Sequence, residues 1–300
     1  MTWAWKVNLA VKKLSFSSVP HSVSSAANAF RNRRMREFKI LGTPVLATSY
    51  AELGQLFQDW SGRPRRVLVE FGNTQVFTML RHDHEFREVM AEFDYFIPDG
   101  MPLIWCLNLA GAKLKDRVYG PTFMREFLST VPSQYTHYLL GGSEEIGARL
   151  KERFQKLNPD IKFVGSFHGR CQADGLLLGE SDQEVVDEIN RLSPDFIWVS
   201  FGAPKQQMWA KRHQHLIRRG VVSMVGFAFD VNAGVKPDAP MWMQRWGMTW
   251  IFRLCSEPRR LAGRYARWNF LFLWYLFLDG LRGKAVNRPI PETKRAVASS

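Results

Sequence analysis

Residues 66–71 (RVLVEF), 135–140 (YTHYLL) and 195–200 (DFIWVS) are short runs that stay largely apolar instead of alternating with polar residues. A strand with one wet face alternates, whereas a strand covered on both faces does not, and strands of the second kind belong mostly to parallel sheets. Further strand-like runs occupy residues 95–97, 161–165 and 221–227, with an extended segment from about residue 40. Between these runs lie helical stretches at 50–60, 74–82, 143–157 and 183–192, and one from Pro204 to about residue 219. Strands alternating with helices predict an α/β fold, a mostly parallel sheet with helices on both faces, of the kind that binds nucleotides. The chain shows no internal repeat.

In such sheets ligands bind in the crevice outside the carboxyl ends of the strands. Four loops fall there. Pro98-Asp99-Gly100 ends the 95–97 strand and puts one carboxylate on a tight turn. An acid held at that place can serve as a general base, although Asp-Gly is also ordinary turn chemistry. Gly72-Asn73 follows the first long strand, and Asn73 could bond a sugar or phosphate or simply shape the turn. Gly141 and Gly142, in LLGGSEEIG, precede a helix start, where glycines let backbone amides approach a phosphate. The pattern is not GxGxxG, which argues against a dinucleotide cofactor. In FGAPKQQMW, Pro204 suits a first helical position, with Lys205 available to phosphate and Gln206 to a sugar or base.

A formal charge of +13 and a pI near 9.9 call for an anionic partner, and nucleic acid, an anionic membrane or a phosphorylated substrate all qualify. The charge concentrates in an aromatic setting. Arg245, Arg253, Arg259, Arg260, Arg264 and Arg267 are interleaved with Trp242, Trp246, Trp250 and Trp268, followed by an apolar run over 270–278. That run is far short of the ~20 residues that span a bilayer. It suits a segment lying in the membrane interface, a buried helix or a subunit contact. This layout is unlike a groove for single strands, so a nucleic-acid partner is not expected. Arginine suits bidentate phosphate recognition. Arg253, Arg260 and Arg264 are spaced so that a continuous helix would bring them near one face.

Cys106, Cys171 and Cys255 are far apart, with no CxxC pair, which fits a reducing compartment and neither a disulfide framework nor a zinc site. His82-Asp83-His84-Glu85 is not read as a metal cluster, because neighbouring helical positions point to different faces. No D-x-D sequence occurs to hold a divalent ion. The N-terminus carries Lys6, Lys12 and Lys13 but no apolar core with a cleavage site, so no signal peptide is expected.

Several stretches together resemble the WecG/TagA/CpsF family of bacterial glycosyltransferases: FGNTQ, DGMPLIW, RVYGPTFM, LLGGSEEIG, INRLSPDFIWVSFGAPKQQMW, VGFAFDVNAG and APMWMQRWGMTWIFRLCSEPRRLAGRY. The resemblance implies a Rossmann-like sheet with a C-terminal helical, membrane-associated appendage. It implies transfer of a sugar from a UDP-sugar to a polyprenyl-diphosphate-linked saccharide, with inversion, in cell-surface polysaccharide synthesis. Asp99 matches the family's proposed base, Asn73 its Asn after the first core strand, and Gln206 the Gln of its P-K-Q-E motif. Arg253, Arg259, Arg260 and Arg264 match the arginines expected to meet the diphosphate. Gly100, Gly141, Gly142 and Lys205 complete the expected substrate-binding set.

This sequence departs from the family pattern with Phe71 for Thr, Pro102 for Gly, Gln207 for Glu, Thr249 for Glu, and Gly263 where Arg is frequent. Asp99 and Gln206 remain, so activity is expected to survive. The expected organisation is a basic, Ser-rich, disordered extension (1–38), a catalytic domain (39–238), an Arg/Trp-rich appendage (239–282) and a disordered tail (283–300). The expected reaction needs no metal or other cofactor, at the cytoplasmic face of the cell membrane as a peripheral protein, with homo-oligomerisation open. The alternative is a catalytically silent membrane-associated scaffold.

Overall fold

A computed structural model describes residues 35–179, 181–281 and 286–287. The expected disorder of residues 1–34 and of most of the 283–300 tail lies outside them. The described chain opens with a hairpin, β1 (Arg36–Ile40) and β2 (Thr43–Ala47), so regular structure begins ahead of the expected boundary at residue 39. Then follow α1 (Tyr50–Ser61), β3 (Val67–Gly72), α2 (Thr74–His82), α3 (His84–Met90), β4 (Tyr95–Pro98) and α4 (Met101–Leu109). The second half of the sheet comes from α5 (Gly120–Thr130), β5 (Thr136–Gly141), α6 (Glu144–Leu157), β6 (Lys162–Phe167), α7 (Asp182–Leu192), β7 (Phe196–Ser200), α8 (Lys205–His213) and β8 (Val221–Met224). The chain continues through α9 (Ala228–Asn232), α10 (Met241–Arg245), α11 (Thr249–Ser256), α12 (Pro258–Leu281) and β9 (Val286–Asn287). Val286 and Asn287 pair antiparallel with Ile40 and Lys39, inside the stretch expected to be a disordered tail.

The main sheet has the order β4-β3-β8-β7-β5-β6 with every pairing parallel. Its strands feed two cores alternately. Leu68, Phe96, Tyr138, Leu140, Ile197, Val199, Val222 and Met224 enter one, with Val76 and Phe77 of α2, Leu103 of α4 and Trp209 of α8. Val67, Val69, Phe71, Ile97, Leu139, Phe196, Trp198 and Val221 enter the other, with Phe57 of α1, Phe123 and Phe127 of α5, Phe154 of α6 and Phe229 of α9. This period of two, apolar on both phases, is why the runs read as apolar throughout.

Helix starts follow local chemistry. Ser49 and Glu52 form a capping box on α1, while Asn73, Asp83 and Ser143 cap α2, α3 and α6. The expected helix to about residue 219 ends instead at His213. Arg219 is drawn to Asp195 (2.7 Å) and to the carbonyls of Ser193 and Ser61, which turns the chain back toward the strands.

α12 has 24 residues and is thus about 36 Å long. One stripe of its second half packs on α2. Thr74 Oγ1 donates to Asn269 Oδ1 (3.0 Å), His82 Nδ1 meets the Tyr275 hydroxyl (2.7 Å), Arg81 pairs with Asp279 (3.4 Å), and Phe272 is buried. The opposite stripe, Phe270, Leu273, Trp274, Phe277 and Leu281, is exposed. The exposed stripe follows the i, i+3, i+4, i+7 spacing of one helix face, so this half-helix packs a mixed face on α2 and leaves an apolar face uncovered. Among the described residues no helix is long and apolar enough to cross a membrane.

Candidate active site

Two adjoining cavities at the carboxyl edge of the sheet share the Asp99 turn. The polar one, about 420 Å³, is lined by Glu70, Asn73, Asp99, Gly142, Lys205, Gln206, Phe227, Arg253, Arg260 and Arg264, among others. The second, about 360 Å³, has mostly apolar walls from Met101, Pro102, Trp105, Leu109, Trp250, Phe272, Leu273 and Leu276. Asn73, Gln75, Asp99 and Arg253 line both. The expected base therefore stands where the two cavities meet.

Asp99 directly follows β4, and its amide donates to Gly72 O (2.9 Å), which sets it against the end of β3. Gly120 N approaches one carboxylate oxygen at 3.4 Å, and Arg117 Nη1 donates to the Asp99 carbonyl (3.3 Å). Burial raises the Asp99 carboxyl to about 7, against the opposing pull of Arg117, the Gly120 amide and Arg253. A carboxyl poised near neutrality can both accept and hold a proton, as a general base requires.

Asn73 spends its side-chain oxygen on capping α2, accepting from Gln75 N (3.0 Å) and Val76 N (3.3 Å). Its amide nitrogen has no protein partner among the described residues and remains a donor at the cavity junction. Gly100 precedes α4, and its carbonyl accepts from Leu103 N (3.0 Å). Gly142 lines the polar cavity, whereas Gly141 does not. Gly141 has φ +101°, and a Cβ there would lie 2.7 Å from Ser200 O, so glycine is required for the close approach of β5 to β7. Lys205 Nζ donates to Cys171 O (2.8 Å), and Gln206 Oε1 accepts from Gly202 N (3.1 Å); both border the polar cavity.

Of the expected arginines, three converge. Arg253 lies 4.0 Å over the Phe227 ring. Arg260 pairs with Glu257, which also holds Lys236 (2.8 Å). Arg264 is half-buried, and its Nε has no hydrogen-bond partner among the described residues. Burial, with Arg253 and Arg260 nearby, lowers its proton affinity. Three cations gathered this way repel one another and favour an anion between them. Arg259 is exposed and lines neither cavity.

Several departures from the family pattern have their own packing. Phe71 joins the ring cluster of Phe123 (5.4 Å between centroids) and Phe57 (6.4 Å). Gln207 Nε2 donates to both oxygens of buried Glu70 (3.0 Å each), whose carboxyl is raised to about 8 by burial. The Thr249 hydroxyl accepts from Arg117 Nη2 (2.8 Å). Glu70, Arg117, Tyr119 and Asp238, none of them expected to have a role, are all at or beside the site. Arg117 and Tyr119 belong to RVYGPTFM, but a lone Arg in a loop gives no sign of what it will face.

In the His82–Glu85 stretch, His82 meets Tyr275, Asp83 caps α3, and His84 pairs with Glu88 (3.3 Å). Among the described residues no three His, Cys, Asp or Glu side chains are grouped to hold a metal ion.

Comparison with known proteins finds relatives over more than half of the chain. The chain is 26% identical over 179 residues to the N-acetylglucosaminyldiphosphoundecaprenol N-acetyl-beta-D-mannosaminyltransferase of Bacillus subtilis strain 168, covering 59% of this chain and 67% of that protein. It is 26% identical over 197 residues to the Staphylococcus aureus MRSA252 protein of the same name, covering 65% of this chain and 74% of the other. The profile of one family, described as glycosyl transferase WecG/TagA/CpsF, matches residues 38–286, and the chain belongs to that family.

Proposed function

We propose that this glycosyltransferase moves a sugar from a UDP-sugar to a polyprenyl-diphosphate-linked saccharide, inverting the anomeric centre, with Asp99 as general base and no metal ion. The observation that carries the reading is the meeting of a cation-lined polar cavity and an apolar cavity at one near-neutral carboxyl. The donor occupies the polar side, with its diphosphate toward Arg253, Arg260 and Arg264 and the Gly142 turn. The acceptor enters from the apolar side. Its sugar hydroxyl loses a proton to an Asp99 oxygen as the hydroxyl oxygen attacks the anomeric carbon. The bond from that carbon to the diphosphate oxygen breaks, and UDP leaves with the electron pair on the face opposite attack. The arginines offset the charge that develops there. The names of the relatives specify an N-acetylglucosaminyl-diphospho-undecaprenol acceptor and transfer of N-acetylmannosamine, which makes these the first substrates to offer.

The same reading places the protein on the cytoplasmic face of the membrane. Support comes from the exposed stripe of α12 and from Trp105, Leu109, Trp242 and Trp246, with Leu109 and Trp246 at 87% and 72% exposure. A patch of this kind is unusual for a free surface, and Trp suits the headgroup level. A second copy of the chain is the competing occupant.

The deciding experiment is UDP release by purified protein with UDP-N-acetylmannosamine and other UDP-sugars, with the lipid-linked acceptor, with and without EDTA. Acceptor-dependent release indifferent to EDTA is expected. Release abolished by EDTA would overturn the arginine account of the leaving group. Silence across the panel would favour a scaffold.

A further inference from the structure

The segment 117–120 grips Asp99 from two directions, through Arg117 at its carbonyl (3.3 Å) and Gly120 N at its carboxylate (3.4 Å). The same segment is gripped in turn by the residues at either end of the stretch that leads into the C-terminal helices. At one end stands Asp238. Its Oδ1 accepts from the Tyr119 hydroxyl (3.0 Å) and Ala239 N (2.9 Å), and its Oδ2 accepts from Gln244 Nε2 (3.1 Å). At the other end stands Thr249, bonded to Arg117 (2.8 Å). The Arg117 guanidinium lies 4.3 Å over the Tyr119 ring, so the two grips share one stacked pair. Tyr119 N donates to the Tyr50 hydroxyl (3.0 Å), which ties the pair to α1.

We propose that Asp238, acting through Tyr119 and Arg117, is a positioning residue that couples the seating of the C-terminal appendage to the placement of Asp99. If 238–249 lifts away, Tyr119 loses its acceptor and Arg117 loses Thr249. The two hydrogen bonds from this segment to Asp99 then rest on a loop that keeps its tie to Tyr50 but has lost both contacts to the appendage. Gly247 fits this role. It has φ +71°, and a Cβ there would lie 2.8 Å from Met101 Cβ, so the stretch is pressed on α4 where only glycine fits.

The groups that face Asp99 with a charge or titratable proton are Arg117 and Tyr119 from the loop, Arg253 from α11, Asp238 from the linker, Glu70 from β3 and Tyr50 from α1. Asp238 pushes the Asp99 carboxyl upward. Burial keeps the Tyr119 hydroxyl protonated, as a donor to Asp238.

The proposal rests on the transferase reading only for its kinetic consequence, so the test has two arms on the full chain. The first follows the Asp99 carboxyl by 13C NMR, assigned by its absence in Asp99→Asn, and follows hydrogen exchange over residues 247–256. Asp238→Asn should move the Asp99 titration down, because a like charge is removed. Tyr119→Phe, which keeps the ring under Arg117, should speed exchange over 247–256. The second arm uses UDP-N-acetylmannosamine and N-acetylglucosaminyl-diphospho-undecaprenol. Tyr119→Phe should lower kcat about tenfold with the donor KM within about twofold, and Asp238→Asn should carry the acid limb of kcat/KM downward with the NMR titration. Unchanged exchange over 247–256 in Tyr119→Phe would overturn the coupling, because the titration shift in Asp238→Asn follows from its charge alone. No turnover by the wild type, with the NMR shift and faster exchange present, would count against the transferase reading and support the coupling.

Discussion

The two cavities that meet at Asp99 are built in different ways. The polar one is rooted in the sheet. Its floor is the carboxyl ends of β3, β7 and β8, and its lining side chains are held by strand ends and helix caps. Arginines of α11 and α12 are added from above. The apolar one lies between two helices, α4 and α12, and its rim continues into exposed Leu109 and Leu273. A site that must hold a charged, compact group needs fixed dipoles and cations, which a sheet edge positions well. A site for an apolar, flexible group needs area, and two helices with uncovered faces provide it. Asp99 follows a strand of the sheet and, like Arg253, lines both cavities.

The largest expected effect breaks the junction itself. Asp99→Asn should retain the fold and UDP binding but lose about 100- to 10,000-fold in transfer rate, the usual value of a general base. Near-normal turnover would remove Asp99 from the chemistry. On the polar side, Arg264→Ala should cost about 100-fold in kcat, as loss of a group that stabilises developing charge does. Equal losses on replacing exposed Arg259 would show that the convergence of three arginines is not what matters.

The pH profile sharpens the same contrast. Asp99 must be ionised to accept a proton, and its carboxyl is raised to about 7. Transfer should fall about tenfold per pH unit below that value and level off above it, and a rate flat from pH 5 to 8 would refute an Asp99 base (about one proton's worth of change per unit).

On the apolar side, Leu273→Asp with Phe277→Asp should weaken sedimentation with anionic liposomes about tenfold or more, since each side chain contributes roughly 2 kcal/mol when buried. Secondary structure and UDP binding should be unchanged. If liposome binding persists while the protein changes from oligomer to monomer on a sizing column, the exposed stripe of α12 is a subunit contact.

The smallest effect concerns stability. Glu70 is raised to about 8 in the folded protein, so the folded state binds its proton more tightly than the unfolded chain. That contribution is complete below the ordinary Glu range and is lost as the pH rises toward about 8. Glu70→Gln should therefore flatten the decline of the urea midpoint across this range. A variant that declines as steeply as the wild type would mean that Glu70 is already ionised against Gln207.

The main elements could be read from the chain because their causes are local. Apolarity on both phases of a strand follows from having two cores, and Ser49, Asn73 and Ser143 cap the expected helices by side chains that reach only two or three residues ahead, whereas the helix capped by Asp83 was not expected. The turn at Asp99 was visible for the same reason. The overlong helix after Pro204 shows the limit, because the pull of Asp195 and Ser61 on Arg219 comes from far along the chain.

Sequence alone determined that this chain forms a parallel α/β sheet, which loops stand at its carboxyl edge, and that arginine and tryptophan gather near the C-terminus. Only the tertiary structure decided which arginines share a common cavity, separating Arg253, Arg260 and Arg264 from Arg259, which lines neither. It also decided that Arg117, Tyr119 and Asp238 form one chain of contacts to Asp99, and that Gly141 serves strand packing while Gly142 borders the site. Periodicity and capping are set by neighbours a few residues away, so they survive in the linear order. A shared cavity is set by residues more than a hundred positions apart, and their distance exists only once the sheet has brought its strand ends together.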